Sequence, residues 1–152
     1  MPIVQFHLVT EAYPAEAISA LLVEASHAFA AALYPDMAVV PVERVRALVH
    51  AVAPGHAAVG GRMVSAGATP APFFTCLTIA GRPRSQLDAM IRTLTDLVVE
   101  HLGCERALVR GMVIPIDSAD WYIAGEPASA VRGTELARRS TSGAASDPHD
   151  QQ

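Results

Sequence analysis

The chain has little on which metal, redox or nucleic-acid chemistry could be built. Its only two cysteines, Cys76 and Cys104, have neither metal nor redox spacing, and a reducing compartment would leave both as free thiols. The histidines are no better arranged for a metal. His50 and His56 stand six residues apart across a Pro-Gly turn, and His27 and His101 fall on separate helical segments. No phosphate loop or dinucleotide fingerprint is present. A formal net charge of -4 supplies no basic field for nucleic acid. No unbroken apolar run approaches the roughly 18 residues of a membrane span. No basic segment leads into an apolar stretch and cleavage site at the amino end. The expectation is a cytoplasmic protein with no metal, no cofactor, no nucleic acid and no membrane partner.

What is present is a core. Hydrophobic residues make up 51% of 152, enough for one compact domain. The pattern also repeats. PIVQFHLV, from Pro2 to Val9, alternates as a strand does, and PFFTCLTI, from Pro72 to Ile79, alternates again at an offset of 70. Each is followed by apolar residues at helical intervals, over about Ala15 to Leu33 and about Gln86 to Leu102. Pro14 suits a first turn, Ser85 can cap with Asp88 three residues on, and Gly103 can end the second helix. Each unit returns to a strand, VERVRALVHAV and ERALVRGMVIPI, in which Val45-Arg46 matches Val109-Arg110 at an offset of 64, as Gly61 matches Gly125.

Two βαβ units of about 2–61 and 72–125 follow, in one domain over 1–132. Right-handed crossovers let the two first strands abut in a four-stranded mixed sheet with both helices on one face. The other face must then be buried by further copies of the chain. From Gly133 to Gln152 the text is small, polar and aperiodic, and predicts a disordered tail.

If Met1 is removed, as is usual before a small residue, Pro2 becomes the terminus and carries a free secondary amine. The competing reading is a proline that only protects the terminus or tolerates a strand's first position. If the two first strands are antiparallel, Pro2 lies near Arg82 and Arg84 of AGRPRS, while Pro72 faces Thr10 to Ala12, where no arginine stands. Pro72 is also an internal amide and cannot serve as a base.

These residues resemble the tautomerase superfamily, the group containing 4-oxalocrotonate tautomerase, malonate semialdehyde decarboxylase, cis-3-chloroacrylic acid dehalogenase and macrophage migration inhibitory factor. The resemblance runs from Pro2 to about Ser129. It rests on PIVQFHLV, on PVERVRALVHAVAPGHAAVGG, and on AGRPRSQLDAMI with VRGMVIPIDSADWYIAGEPAS. It implies an α+β tautomerase-like fold of the fused two-unit kind, assembled as a homotrimer, acting without a cofactor on a small carboxylated carbonyl compound. It implies Pro2 as the catalytic base, with Arg82 and Arg46 in catalytic roles and Arg84, Arg110 and Trp121 binding substrate. Planar guanidinium groups grip carboxylates bidentately and stay charged. Arg46 and Arg110 hold the same position in their units, and Arg46 is favoured to reach Pro2. Each of these residues has a structural alternative: solvated loop arginines, an interface ion pair, and simple packing of a tryptophan. The Arg-Pro-Arg-Ser and Ser-Ala-Asp-Trp segments resemble the decarboxylase branch, so a lyase remains the alternative activity. A non-catalytic oligomeric binding protein is a third reading.

Overall fold

The computed structural model describes residues 2–134 and 137. The tail expected over 133–152 therefore lies outside the described residues, apart from Gly133, Thr134 and Ala137.

Strand β1 (Ile3–Leu8) alternates inward and outward, burying Val4, Phe6 and Leu8. Helix α1 (Ala15–Leu33) starts from Pro14, whose fixed φ and missing N–H suit a helix start, and lays Leu21, Ala25, Phe29, Ala30 and Leu33 on the sheet. Strand β2 (Arg46–Ala51) returns parallel to β1. The second unit repeats this with β5 (Phe73–Ile79), α2 (Arg84–Leu102) and β6 (Arg110–Ile116), again parallel to its first strand. The two first strands pair antiparallel, Ile3 opposite Leu77 and His7 opposite Phe73, so the sheet order is β2-β1-β5-β6. Each unit ends in a two-residue hairpin. These are β3 (Ala58–Val59) with β4 (Arg62–Met63), and β7 (Tyr122–Ile123) with β8 (Glu126–Pro127), before a short α3 (Ala128–Val131).

Three expectations need correction. Ser85 caps nothing: α2 begins at Arg84, two residues before the expected Gln86, after an extended Pro83, and no side chain caps it. Arg84 instead pairs with Asp88, one turn on, at 2.9 Å. The return strands start later than their sequence patterns, because Val42–Arg44 and Arg106–Leu108 form single 3-10 turns first. Finally, α1 is long and apolar enough by composition to match a membrane span, although Glu16, Glu24 and His27 interrupt its apolar run. Its apolar stripe packs instead into the core with Phe6, Phe74 and, from α2, Met90, Leu94 and Val98. Fully burying a residue such as Phe29 stabilises the fold by about 1.5–3 kcal/mol. Gly103 does end α2, in the left-handed conformation at φ 62°, its N–H donating to the Val99 carbonyl.

Both helices lie on one face. By register, the other face carries Ile3, Gln5 and His7 of β1, Arg46, Leu48 and His50 of β2, Phe73, Thr75 and Leu77 of β5, and Arg110, Met112 and Ile114 of β6. Leu48, Met112 and Ile114 are each about two-fifths exposed in the single chain.

Candidate active site

The antiparallel β1–β5 pairing gives the sheet two ends with different contents. At one end stand Pro2, the start of β2, and the segments that follow α1, β5 and β6. At the other stand Pro72, the start of β6, and the segments that follow α2, β1 and β2. The two prolines are structural equivalents: the Pro2 carbonyl accepts from Arg46 N–H at 3.1 Å, and the Pro72 carbonyl from Arg110 N–H at 3.0 Å.

Pro2 is buried. Beside it, the C-terminus of α1 is tied to the second unit. Gln86 Nε2 donates to the Ala32 carbonyl at 2.6 Å, and Arg82 Nη1 to the Leu33 carbonyl at 2.7 Å. Cations and amide donors suit these carbonyls, which have no partner within the helix. The Arg82 guanidinium also lies over the ring of Tyr34 at 5.8 Å, and Arg44 lies over the same ring at 5.5 Å. Arg132, just past α3, donates from Nη1 to Tyr34 Oη at 3.2 Å. Three guanidinium groups therefore meet one buried tyrosine at the Pro2 end.

Within the chain, Arg82 comes to the Pro2 end, as the facing-strand argument requires, and Arg46 stands there at the start of β2. The Arg46 guanidinium folds onto its own approach, donating to the Glu43 carbonyl at 3.0 Å and the Val45 carbonyl at 2.9 Å. Arg110 repeats that arrangement on Ala107 and Val109 at the Pro72 end, so within one chain it is not brought to Pro2. Arg84 diverges from Arg82: it is exposed, holds Asp88, and lines an outward cleft of about 320 Å³ with Ile91, Arg92 and Gly111 along the β6 edge. Trp121 opens the β7–β8 hairpin beyond β6, half-buried at the Pro2 end, its carbonyl accepting from Ala128 N–H at 2.7 Å. No group of three or more His, Cys, Asp or Glu that could hold a metal occurs among the described residues.

Sequence reasoning missed two things. Arg44, Arg132 and Tyr34 carried no motif, because their convergence is a long-range contact. The compositional signal for them is that the chain contains no lysine, so all eleven of its Lys and Arg positions are arginine. A free Pro2 amine would be the only aliphatic amine in the molecule. Chemically, the Pro2 end combines a buried ring nitrogen position with permanently charged guanidinium groups. Both burial and nearby cations disfavour a protonated amine.

No family model and no curated protein matches the chain. Solved structures do. A native fused 4-oxalocrotonate tautomerase superposes with a TM-score of 0.76 at 25% identity, over 85% of this chain and 98% of that one. Pt0534 inactivated by 2-oxo-3-pentynoate gives a TM-score of 0.75 at 25% identity, over 86% and 98%. Macrophage migration inhibitory factor of Toxoplasma gondii matches in fold, with a TM-score of 0.64 at 19% identity over 80% and 96%.

Proposed function

We propose that this chain, a tautomerase-superfamily protein of the fused 4-oxalocrotonate tautomerase type, is a cofactor-independent tautomerase of small 2-hydroxy and 2-oxo carboxylic acids. The observation that carries the reading is the asymmetry of the two sheet ends. Arg82, Arg44 and Arg132 gather with Arg46 at the end where a terminal amine would stand, whereas the amide of Pro72 has Arg110 in the place of Arg46 and no positional counterpart of the other three. With Met1 removed, Pro2 offers a nitrogen whose ordinary pKa is about 7.7–8.0. Burial and the arginines lower it, so that a neutral fraction exists near pH 7.

In the reaction, the neutral Pro2 nitrogen takes the proton of an enol hydroxyl. Electron density moves into the carbonyl and the conjugated carbon, and the protonated amine returns the proton to that carbon. Arg82 holds the substrate carboxylate, and Arg46 stabilises the charge that develops on oxygen. Arg84 and Trp121 would complete the pocket in the assembled protein. Arg110 would do so from a neighbouring protomer. A homotrimer fits the open sheet face with its exposed Leu48, Met112 and Ile114. The fused 4-oxalocrotonate tautomerases of similar fold include trimers.

The test is conversion of 2-hydroxymuconate or phenylenolpyruvate by the wild type and by Pro2→Ala, with intact mass read first to establish that Met1 is absent. The variant should lose about a hundredfold or more, the scale of a positioned general base. An unchanged rate, or a retained Met1, would end the reading.

A lyase is the second reading, because the Arg82-Pro83-Arg84-Ser85 and Ser118-Ala119-Asp120-Trp121 segments both follow strands that finish at the Pro2 end. It requires a protonated Pro2, and so an activity that falls as Pro2 loses its proton.

A further inference from the structure

The duplication supplies an internal control for Tyr34. Helix α1 ends at Leu33 and α2 at Leu102, so the second unit has Gly103 where the first has Tyr34. Carrying the strand offsets across, Arg82 corresponds to Ala12, Arg44 to Leu108, and Arg132 to Ala68. All four members of the cluster are therefore absent at the Pro72 end, where the strand pairing is the same but the chain leaves the helix differently, Gly103 at φ 62° against Tyr34 at φ -131°, and returns to its strand by a shorter connection. The cluster occurs only beside the proline that can carry a free amine.

We infer that Tyr34 is a positioning residue of the Pro2 site, its buried ring and hydroxyl fixing Arg82, Arg44 and Arg132 as one guanidinium array that selects carboxylate-bearing substrates. The inference rests on the tautomerase reading and extends it to residues that touch no reacting atom. The ring is 5% exposed and gives two guanidinium groups a flat, desolvated face. Its hydroxyl accepts from the third. Arg82 is thereby held against the α1 carbonyl end, beside the strand whose Leu77 pairs with Ile3. Arg44 sits two residues before Arg46, whose N–H holds Pro2. Without the ring, Arg82 would keep its contact with the Leu33 carbonyl and Arg44 its pairing with Glu43 at 3.8 Å, but the guanidinium groups would lose their common face and the array would have to be aligned anew for each substrate.

The experiment measures covalent labelling of the full chain by 2-oxo-3-pentynoate and by its methyl ester, followed by intact mass. The amine nitrogen adds to the triple bond, one π bond is lost, the nitrogen's proton passes to carbon, and the whole reagent mass is retained. With no lysine in the chain, an amine adduct reports Pro2, and peptide mapping separates it from Cys76 and Cys104. In Tyr34→Leu the half-saturating concentration of the acid should rise about tenfold to a hundredfold, the scale of one charge-assisted hydrogen bond. The ester should shift by less than about twofold, because it does not use the array. Tyr34→Phe, which keeps the stacking face, should stay within about threefold of wild type for both reagents. Equal shifts for acid and ester, or none for either, would make Tyr34 structural and overturn the inference. Should Tyr34→Leu fail to fold by circular dichroism, Arg132→Gln removes the hydroxyl's partner. An acid-only shift of a few fold then supports the inference, and no shift overturns it. A wild type that takes no label on Pro2 overturns the tautomerase reading itself, and this inference with it.

Discussion

Gly111→Ala should destabilise the protein, and Phe74→Val should suppress much of that effect. A Cβ built at Gly111 falls 2.8 Å from Phe74 Cε2 and 2.9 Å from Cε1, and closer still to Cζ, where ordinary carbon contacts are about 3.5–4.0 Å. The ring is fully buried, with the Phe6 ring centroid 5.9 Å away, so it has to shift within a packed core. Overpacking of this kind costs about 1–3 kcal/mol. Against it stands a gain of about 0.5–1 kcal/mol from replacing glycine in a strand, so the clash wins at most values. The first unit shows the alternative solution, since Val4 pairs with Ala47 where the second pairs Phe74 with Gly111. Phe74→Val alone leaves a void and should cost about 2–3 kcal/mol, between the small and large truncations of buried side chains. The double variant restores the first unit's pair, and its cost should fall short of the combined single effects by at least about 1 kcal/mol. Urea unfolding at fixed protein concentration, followed by Trp121 fluorescence, measures all four corners of the cycle. Strict additivity, or a neutral Gly111→Ala, would refute the packing argument.

Replacing Arg82 with Ala should raise KM for acidic substrates about tenfold or more, the scale of a charge-assisted carboxylate contact. Arg62→Ala should not, because Arg62 spends Nε and Nη2 on the Ala66 carbonyl at the far hairpin; equal kinetic losses would remove the carboxylate clamp. Assembly should be acid-sensitive. His7 is stacked between His50 and Phe73, and burial first, then His50, lowers its pKa below 6.5. Arg110 continues the same row, Arg46 lies on the same face, and none of the four strands carries Asp or Glu. The folded form therefore resists the proton that the unfolded chain accepts: no penalty exists above about pH 6.5, and it grows as pH falls toward the lowered value. Light scattering should give about three times the 16.0 kDa chain mass at pH 7.5 and a lower mass in acid, with His7→Gln blunting the change; a mass independent of pH would contradict this. Ala124 sits at φ 52° in the β7–β8 turn where the first hairpin has Gly60, so Ala124→Gly should stabilise by about 1 kcal/mol, and a loss of stability would deny strain there.

The strands and helices were legible because their burial is periodic: Val4, Phe6 and Leu8 alternate, and Met90, Leu94, Val98 and Leu102 recur every fourth residue. The abutment of β1 and β5 followed from the duplication, and with it the placing of Arg82 at the Pro2 end. The hairpins were illegible as strands, since two residues have no period; only Gly60-Gly61 and Ala124-Gly125 mark them, through their positive φ. The start of α2 was misjudged because Ser85 has a capping side chain, but Pro83 already fixes an extended residue from which the helix grows. Arg84 could not be separated from Arg82 by spacing alone. One turns to a tyrosine of the other unit and the other to Asp88 of its own helix, and only tertiary packing decides that.

The central claim is that Pro2 works as a neutral amine among guanidinium groups. Nitrogen NMR titration of Pro2, in protein labelled with nitrogen-15 proline and compared with the pH dependence of kcat/KM, tests it most directly. The account predicts a pKa below the ordinary 7.7–8.0 of an α-amine and a rate that rises with pH through that same value. A pKa above that range, or a rate that falls as Pro2 loses its proton, would contradict it.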